Sequence, residues 1–170
     1  GQGIRAAGKV TVADIGLADP QRAGIKIMGE VLDETGCRRF IGPRQRDAHK
    51  GSQGHVLIVG GSAGKTGAAL LAARAALRAG AGLVSLAVPS SVAATVDAEF
   101  TETMTTRLAD RDGEPDRGAM AALAPELDRF DAVVVGPGLG TGEGAHELVE
   151  GLAQAFEGPL VLDADALNIV

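Results

Sequence analysis

One stretch constrains this chain more than any other. The apolar run His55-Val56-Leu57-Ile58-Val59 breaks into Gly60-Gly61-Ser62-Ala63-Gly64-Lys65 and resumes at Thr66-Gly67-Ala68-Ala69 as an alanine-rich segment. A β-branched run that ends in glycines and restarts as a helix reads as strand, tight turn and helix N-terminus. Glycines let backbone N–H groups approach a ligand closely, and the helix behind them presents unpaired donors and the positive end of its dipole. That corner is an anion-binding geometry; the alternative is a strand-to-helix turn that binds nothing.

Gly64-Lys65-Thr66 invites comparison with the phosphate loop of nucleotide hydrolases. That loop needs a glycine five places before its Gly-Lys pair, where this chain has Val59. Starting from Gly60, the loop is one residue too short to wrap a β-phosphate. The other glycine loop, Gly136-Pro137-Gly138-Leu139-Gly140-Thr141-Gly142, has the wrong period for a dinucleotide fingerprint.

Composition narrows the function classes. A chain of 170 residues holds one α/β core with 45% hydrophobic residues, no Trp or Tyr and 25 glycines, which favours closely packed Ala, Val, Leu and Ile. The net charge of −6 and the absence of Lys/Arg clusters argue against nucleic acid or an anionic membrane as partner. No apolar run reaches the ~18 residues of a membrane span. Cys37, the single cysteine, cannot form an internal disulfide, and with only Arg38 and Arg39 nearby it reads as a passive thiol; a reducing cytoplasm is expected. The opening lacks an initiator Met and reads like mid-protein sequence, so a fragment is expected.

Along the chain, Val10–Gly16 alternates like a strand, and residues 18–47 are mixed, polar and punctuated by Gly and Pro, with one weak strand expected over Gly24–Met28. Thr66–Ala79 is predicted as a helix stopped by Gly80 and Gly82, with Arg74 and Arg78 marking its wet edge. Leu83–Val88 is predicted as a buried strand, a short helix follows from Ser90 or Ser91 to about Ala98, and Glu102–Leu108 reads as an edge strand. Asp110–Arg117 is a polar turn cluster, Arg117–Arg129 an amphipathic helix, and Ala132–Val135 a third buried strand. A helix over 143–156 and a strand over Leu160–Leu162 lead to Asp163-Ala164-Asp165-Ala166-Leu167-Asn168.

Apolar strands separated by helices make βαβ units, a mainly parallel sheet and helices on both faces. Ligands of such sheets sit at the carboxyl ends of the strands. The 60–67 loop, the 136–142 loop and the Asp163/Asp165 pair all fall there. The two aspartates are either a magnesium or phosphate site, or an N-cap at Asp165 with Asp163 as a hydrogen-bonded strand end. His49, His55 and His146 are scattered, and no catalytic triad can be built from them with Ser62 and the aspartates.

Together, His49-Lys50-Gly51-x-x-Gly54-His55-Val56-Leu57, Gly60-Gly61-Ser62, Thr66-Gly67-Ala68, Arg78-Ala79-Gly80-Ala81-Gly82-Leu83-Val84, Gly136-Pro137-Gly138-Leu139-Gly140 and Asp163-Ala164-Asp165-Ala166-Leu167-Asn168 resemble one family. It is the ADP- or ATP-dependent NAD(P)H-hydrate dehydratases, the C-terminal YjeF-type domain of the ribokinase-like superfamily. The resemblance covers residues 44–170; residues 1–19 are similar to the end of the NAD(P)H-hydrate epimerase domain that often precedes it, with 20–43 as linker. It implies a three-layer αβα ribokinase-like fold, of which the chain carries the N-terminal half.

The activity implied is repair of hydrated nicotinamide cofactors with ADP or ATP and Mg2+, in a cytoplasmic homo-oligomer, with NAD(P)H-hydrate and nucleotide as the molecules bound. By the same resemblance Gly67, Ala68 and Gly138 line the hydrated-nicotinamide pocket, Gly138 letting the ring approach the backbone. Gly60, Gly61 and Ser62 lie by the nucleotide or its phosphates, with Asp163, Asp165 and Asn168 near the phosphates or metal. Lys65 departs from the apolar or aromatic residue expected at its place. The family's His-Pro-Gly-Glu segment, its lysine-glycine segment and its glycine-rich turn with the catalytic aspartate have no counterpart in residues 1–170, so no catalytic residue is assigned. A ribokinase-like kinase of a small hydroxylated substrate and a nucleotide-binding module without catalysis are the alternatives.

Overall fold

The computed structural model describes residues 6–9, 11, 13, 15, 16, 24, 34–38, 40 and 49–170. The chain forms two compact units, Gly1–Arg44 and Gln45–Val170. In the first, a short helix spans Glu34–Arg38, held by an exposed i,i+4 ion pair between its end residues at 2.6 Å. Cys37 lies exposed on it. Within the segment read as linker, Glu34 and Arg38 supply helix-stabilising charge at the favourable ends of this one short helix. The strand expected over 10–16 is not seen at Thr11, Ala13, Ile15 or Gly16, and its other residues lie outside the described ones. So does the strand expected over 24–28, Gly24 apart.

The second unit is built on a five-stranded sheet. Strands β1 (His55–Val59), β2 (Leu83–Pro89), β3 (Met104–Leu108), β6 (Ala132–Val135) and β7 (Leu160–Leu162) are ordered β3-β2-β1-β6-β7, and every pairing is parallel. Parallel strands covered on both faces need apolar side chains in both directions. Accordingly Leu57, Val59, Val133 and Val135 point into one core with Leu148 and Leu152 of the Glu143–Ala155 helix. Ile58, Val84, Leu86 and Val88 point into the other, against Ala69, Leu70 and Ala73 of the Thr66–Ala79 helix and Val96 of the Ser90–Glu99 helix. The result is the expected three-layer αβα sandwich. Small alanines at 69, 73 and 93, all fully buried, let the helices lie close on the sheet.

Gly80 ends its helix as predicted. At φ 112° it takes the left-handed conformation and turns its N–H back onto helix carbonyls.

Two segments differ from the sequence reading. The polar cluster 110–117 contains a hairpin, β4 (Asp110–Arg111) against β5 (Glu114–Pro115), turned by Asp112 and Gly113 at φ 52° and 81°. Positive φ at both turn residues is the type I′ geometry that Asp-Gly favours. The helix expected over 117–129 is only Met120–Leu123, followed by a 3-10 helix Ala124–Arg129. Gly118 at φ 85° delays its start, and Pro125 removes an amide donor from its interior.

Candidate functional site at the carboxyl ends of the strands

The chain leaves β1 at Gly60 and β6 at Gly136, neighbouring parallel strands, and the two glycine loops meet. They are joined by hydrogen bonds. Gly61 N–H donates to the Pro137 carbonyl at 2.9 Å, and Ser62 donates both N–H and Oγ–H to the Gly138 carbonyl at 2.7 Å each. Gly60 N–H goes to Ala87 O on β2 at 3.1 Å, and Ala63 N–H to Gly113 O in the hairpin turn at 2.8 Å. A Cβ at Gly60 would collide with the Pro137 carbonyl. Glycine is therefore demanded there by loop-on-loop packing.

These bonds change what the first loop can offer a ligand. The N–H groups of Gly60, Gly61 and Ser62 already have carbonyl acceptors, and Ser62 is fully buried with its hydroxyl engaged. The donors that remain belong to the start of the Thr66–Ala79 helix, whose first N–H groups have no intrahelical acceptor and which no side chain caps. Gly67 sits there, exposed, with nothing within 4 Å of where a Cβ would stand. Ala68 is half-buried and donates its N–H to Lys65 O at 3.1 Å.

Gly138 has φ 62°, and a Cβ on it would lie 2.7 Å from Lys65 O and 3.3 Å from the Ala68 methyl. The backbone that approaches Gly138 is thus the chain's own, at the helix start. Gly67, Ala68 and Gly138 are brought to one corner, and Lys65 is part of it.

Asp165 reaches the same place from β7. Its Oδ2 accepts the Gly140 N–H at 2.8 Å and lies 3.5 Å from Lys65 Nζ. It does not cap its helix: that helix runs Asp165–Ile169, and the preceding position is Ala164, at φ 46° without a side-chain cap. Asp163 is the strand end the alternative reading described, its N–H on Val135 O and its carbonyl accepting from Ala166 N–H, each at 3.0 Å. The side chains of Asp163 and Asn168 are exposed.

Sequence reasoning passed over Glu114. Its carboxylate lies against the second loop, with Oε1 and Oε2 2.7 Å from where a Gly140 Cβ would be and Oε2 3.2 Å from that of Gly142. The Asp112-Gly113 turn was the signal that would have placed it, since a type I′ hairpin carries Glu114 back over the loops. Beside it a cleft of about 430 Å³ is lined by Arg111, Asp116, Arg117 and Glu143 among others. Its cations are already matched: Arg111 to Asp116 at 3.1 Å and Arg117 to Glu143 at 2.6 Å, the latter bond raising the Arg117 pKa above its ordinary value.

Among the described residues no three His, Cys, Asp or Glu side chains gather to hold a metal ion. Asp165 is already occupied by Lys65 and the Gly140 amide. The described residues do not fit a magnesium ion held by the protein alone. No helix among the described residues is long and apolar enough to cross a membrane.

A parallel αβα sandwich with glycine loops meeting at the strand carboxyl ends is the architecture of the ribokinase-like class. An Enterococcus faecalis ribokinase-like superfamily protein superimposes with a TM-score of 0.64 at 24% identity, over 76% of this chain and 43% of that one. Within the class the sequence is decisive: the profile of the NAD(P)H-hydrate dehydratase family matches residues 56–170, and the chain belongs to that family.

A Moorella thermoacetica bifunctional NAD(P)H-hydrate repair enzyme Nnr is 41% identical over 167 residues, 98% of this chain and 32% of that protein. The ADP/ATP-dependent NAD(P)H-hydrate dehydratase of Bacillus subtilis, co-crystallized with ATP/Mg2+, gives a TM-score of 0.62 at 28% identity, covering 79% of this chain and 46% of that one. The chain thus spans about a third of the length of the curated relatives it matches.

Proposed function

We propose that these residues serve an ADP- or ATP-dependent dehydratase that returns hydrated NADH or NADPH to the working cofactor. The observation that carries the reading is the convergence of Gly67, Ala68, Lys65 and Gly138 at one corner above parallel strands, in a chain of this family. Hydroxide is a poor leaving group from the hydrated ring. In the reaction, the ring hydroxyl oxygen attacks the terminal phosphorus of the nucleotide, and the shorter nucleotide departs. A base takes the hydroxyl proton. The ring-nitrogen lone pair then expels phosphate as the C–O bond breaks, and loss of a proton from the neighbouring carbon restores the ring double bond.

In this reading Gly67 and Ala68 border the nicotinamide, and the uncapped helix start faces anionic oxygen. Gly60, Gly61 and Ser62 act by holding Gly138 in place, with Asp163, Asp165 and Asn168 on the nucleotide side. Any Mg2+ would be held chiefly by the nucleotide phosphates and water, the ligands this ion prefers, and would neutralise phosphate charge there. The epimerase assignment of residues 1–19 is supported by the Moorella match, which covers 98% of the chain and so extends well before residue 56. A reducing, cytoplasmic setting fits the single cysteine of the sequence and a water-soluble substrate, and a homo-oligomer is the assembly proposed.

The test is incubation of the full-length protein with hydrated NADH and ADP or ATP while nicotinamide absorbance is followed. Recovery of absorbance with release of phosphate supports the dehydratase. A stable phosphorylated product without recovery indicates a kinase, and binding without turnover indicates a nucleotide-binding module.

A further inference from the structure

We infer that Lys65 is a positioning residue that sets the second glycine loop, and with it Gly138, through the carboxylate of Asp165. The inference rests on the reading that Gly138 borders the cofactor. Gly140 is flanked by two carboxylates: Asp165 Oδ2 accepts its N–H at 2.8 Å, and the Glu114 oxygens stand 2.7 Å from its Cβ position. Lys65 pairs with the first of them, its Nζ 3.5 Å from Asp165 Oδ2.

The side chains are 49% exposed for Lys65 and 23% for Asp165, so water screens the pair only in part. Lys65 also stands where a cation is unfavourable, at the positive end of the Thr66–Ala79 helix. A local rule broken in this way points to a function elsewhere, and the Asp165 contact is what compensates it. Without the ammonium, Asp165 loses its counter-charge beside Gly140 and is free to leave the Gly140 amide. Lys65 acts twice on the same loop, since its carbonyl and Cβ also pack on Gly138, at 2.7 and 2.8 Å from the Cβ position.

The experiment compares Lys65→Met, Lys65→Arg, Asp165→Asn and the Lys65→Met/Asp165→Asn double variant in the full-length protein. Two quantities are read: calorimetric affinity for NADPH, and hydrogen exchange at the Gly140 amide. Lys65→Met is expected to weaken NADPH binding and speed Gly140 exchange by roughly two- to fivefold, the range of a partly exposed ion pair. Lys65→Arg should restore both, and the double variant should lose no more than Asp165→Asn alone.

Unchanged Gly140 exchange in folded Lys65→Met overturns the inference, as does additive loss in the double variant. Faster exchange with unaltered NADPH affinity also overturns it, leaving a purely structural pair. Absence of NADPH binding in the unaltered protein overturns it too, because the loop then positions nothing. The expected pattern without any dehydration of hydrated cofactor would keep this inference and reject the dehydratase reading.

Discussion

Ser62 gives both its amide and its hydroxyl proton to a single acceptor, the carbonyl of Gly138, at 2.7 Å each. The two residues are 76 positions apart, so this pair, with Gly61 N–H on Pro137 O, fastens the loop after β1 to the loop after β6. Ser62→Ala removes one bond but leaves the carbonyl paired with the amide, so the cost is that of a buried hydrogen bond without an orphaned acceptor, about 1 kcal/mol. Urea unfolding should show that loss equally with and without ADP. A stability unchanged without ligand, with nucleotide affinity alone reduced, would instead assign the hydroxyl to phosphate.

Gly138 and Gly67 separate packing from binding. Gly138→Ala must place a side chain at φ 62°, within 2.7 Å of Lys65 O, and is expected to destabilise by about 3 kcal/mol. Gly67→Ala meets open space in a helix and should stabilise by about 0.5 kcal/mol through a less flexible unfolded chain. If Gly67 borders the cofactor, the same change weakens NADPH binding while the melting temperature rises. A rise in both stability and affinity would remove Gly67 from the pocket.

Stability should fall in mild acid because of His55, at the opposite end of β1. Its ring is buried, bonded through Nε2 to Ser85 Oγ at 2.8 Å and set edge-on to Phe130. Burial, and then the charge of Arg129, lower its pKa from 6.5, against the opposing pull of Asp131, the Arg129 backbone and Glu126. The unfolded chain therefore takes up a proton near pH 6.5 that the folded one resists. The contribution is complete above that pH and is lost as pH drops through it toward the folded value. Urea midpoints between pH 7 and 5.5 should slope downward for the natural protein and less steeply for His55→Gln; parallel slopes would refute the assignment.

How much of this was legible in the sequence follows from how local each cause is. Val56–Val59, Leu83–Val88 and Ala132–Val135 are short apolar runs bounded by glycine or proline, and the sheet and its helices follow from them. The same rule placed Gly60, Gly136 and Asp163 at strand tips. It could not show that Gly60, Gly61 and Ser62 already have their amides engaged, because the acceptors at 87, 137 and 138 are remote in sequence. Nor could it separate capping from cross-linking at Asp165, whose partners are Gly140 and Lys65. The hairpin that brings Glu114 over the loop was within reach, since Asp112-Gly113 is a short-range signal, but strands of two residues carry no periodicity.

Residues 1–170 by themselves are expected to be catalytically silent. The proposed phosphoryl transfer needs a group within about 3 Å of the ring hydroxyl to take its proton. Of the carboxylates at the strand ends, Asp165 is tied to Lys65 and the Gly140 amide, Asp163 stands exposed at the tip of β7, and Glu114 lies against Gly140. The match covers 79% of this chain and 46% of the Bacillus subtilis dehydratase, and among the described residues β7 pairs with β6 alone, with Val161, Leu167 and Val170 exposed on and after it. An open apolar strand edge invites association with other chains. Purified 1–170 should therefore be prone to aggregate and show no recovery of NADH from its hydrate. The full-length protein should be more soluble and recover NADH from its hydrate. Sustained turnover by monodisperse 1–170 would place the base within these residues, and Asp165→Asn would then be the first variant to assay.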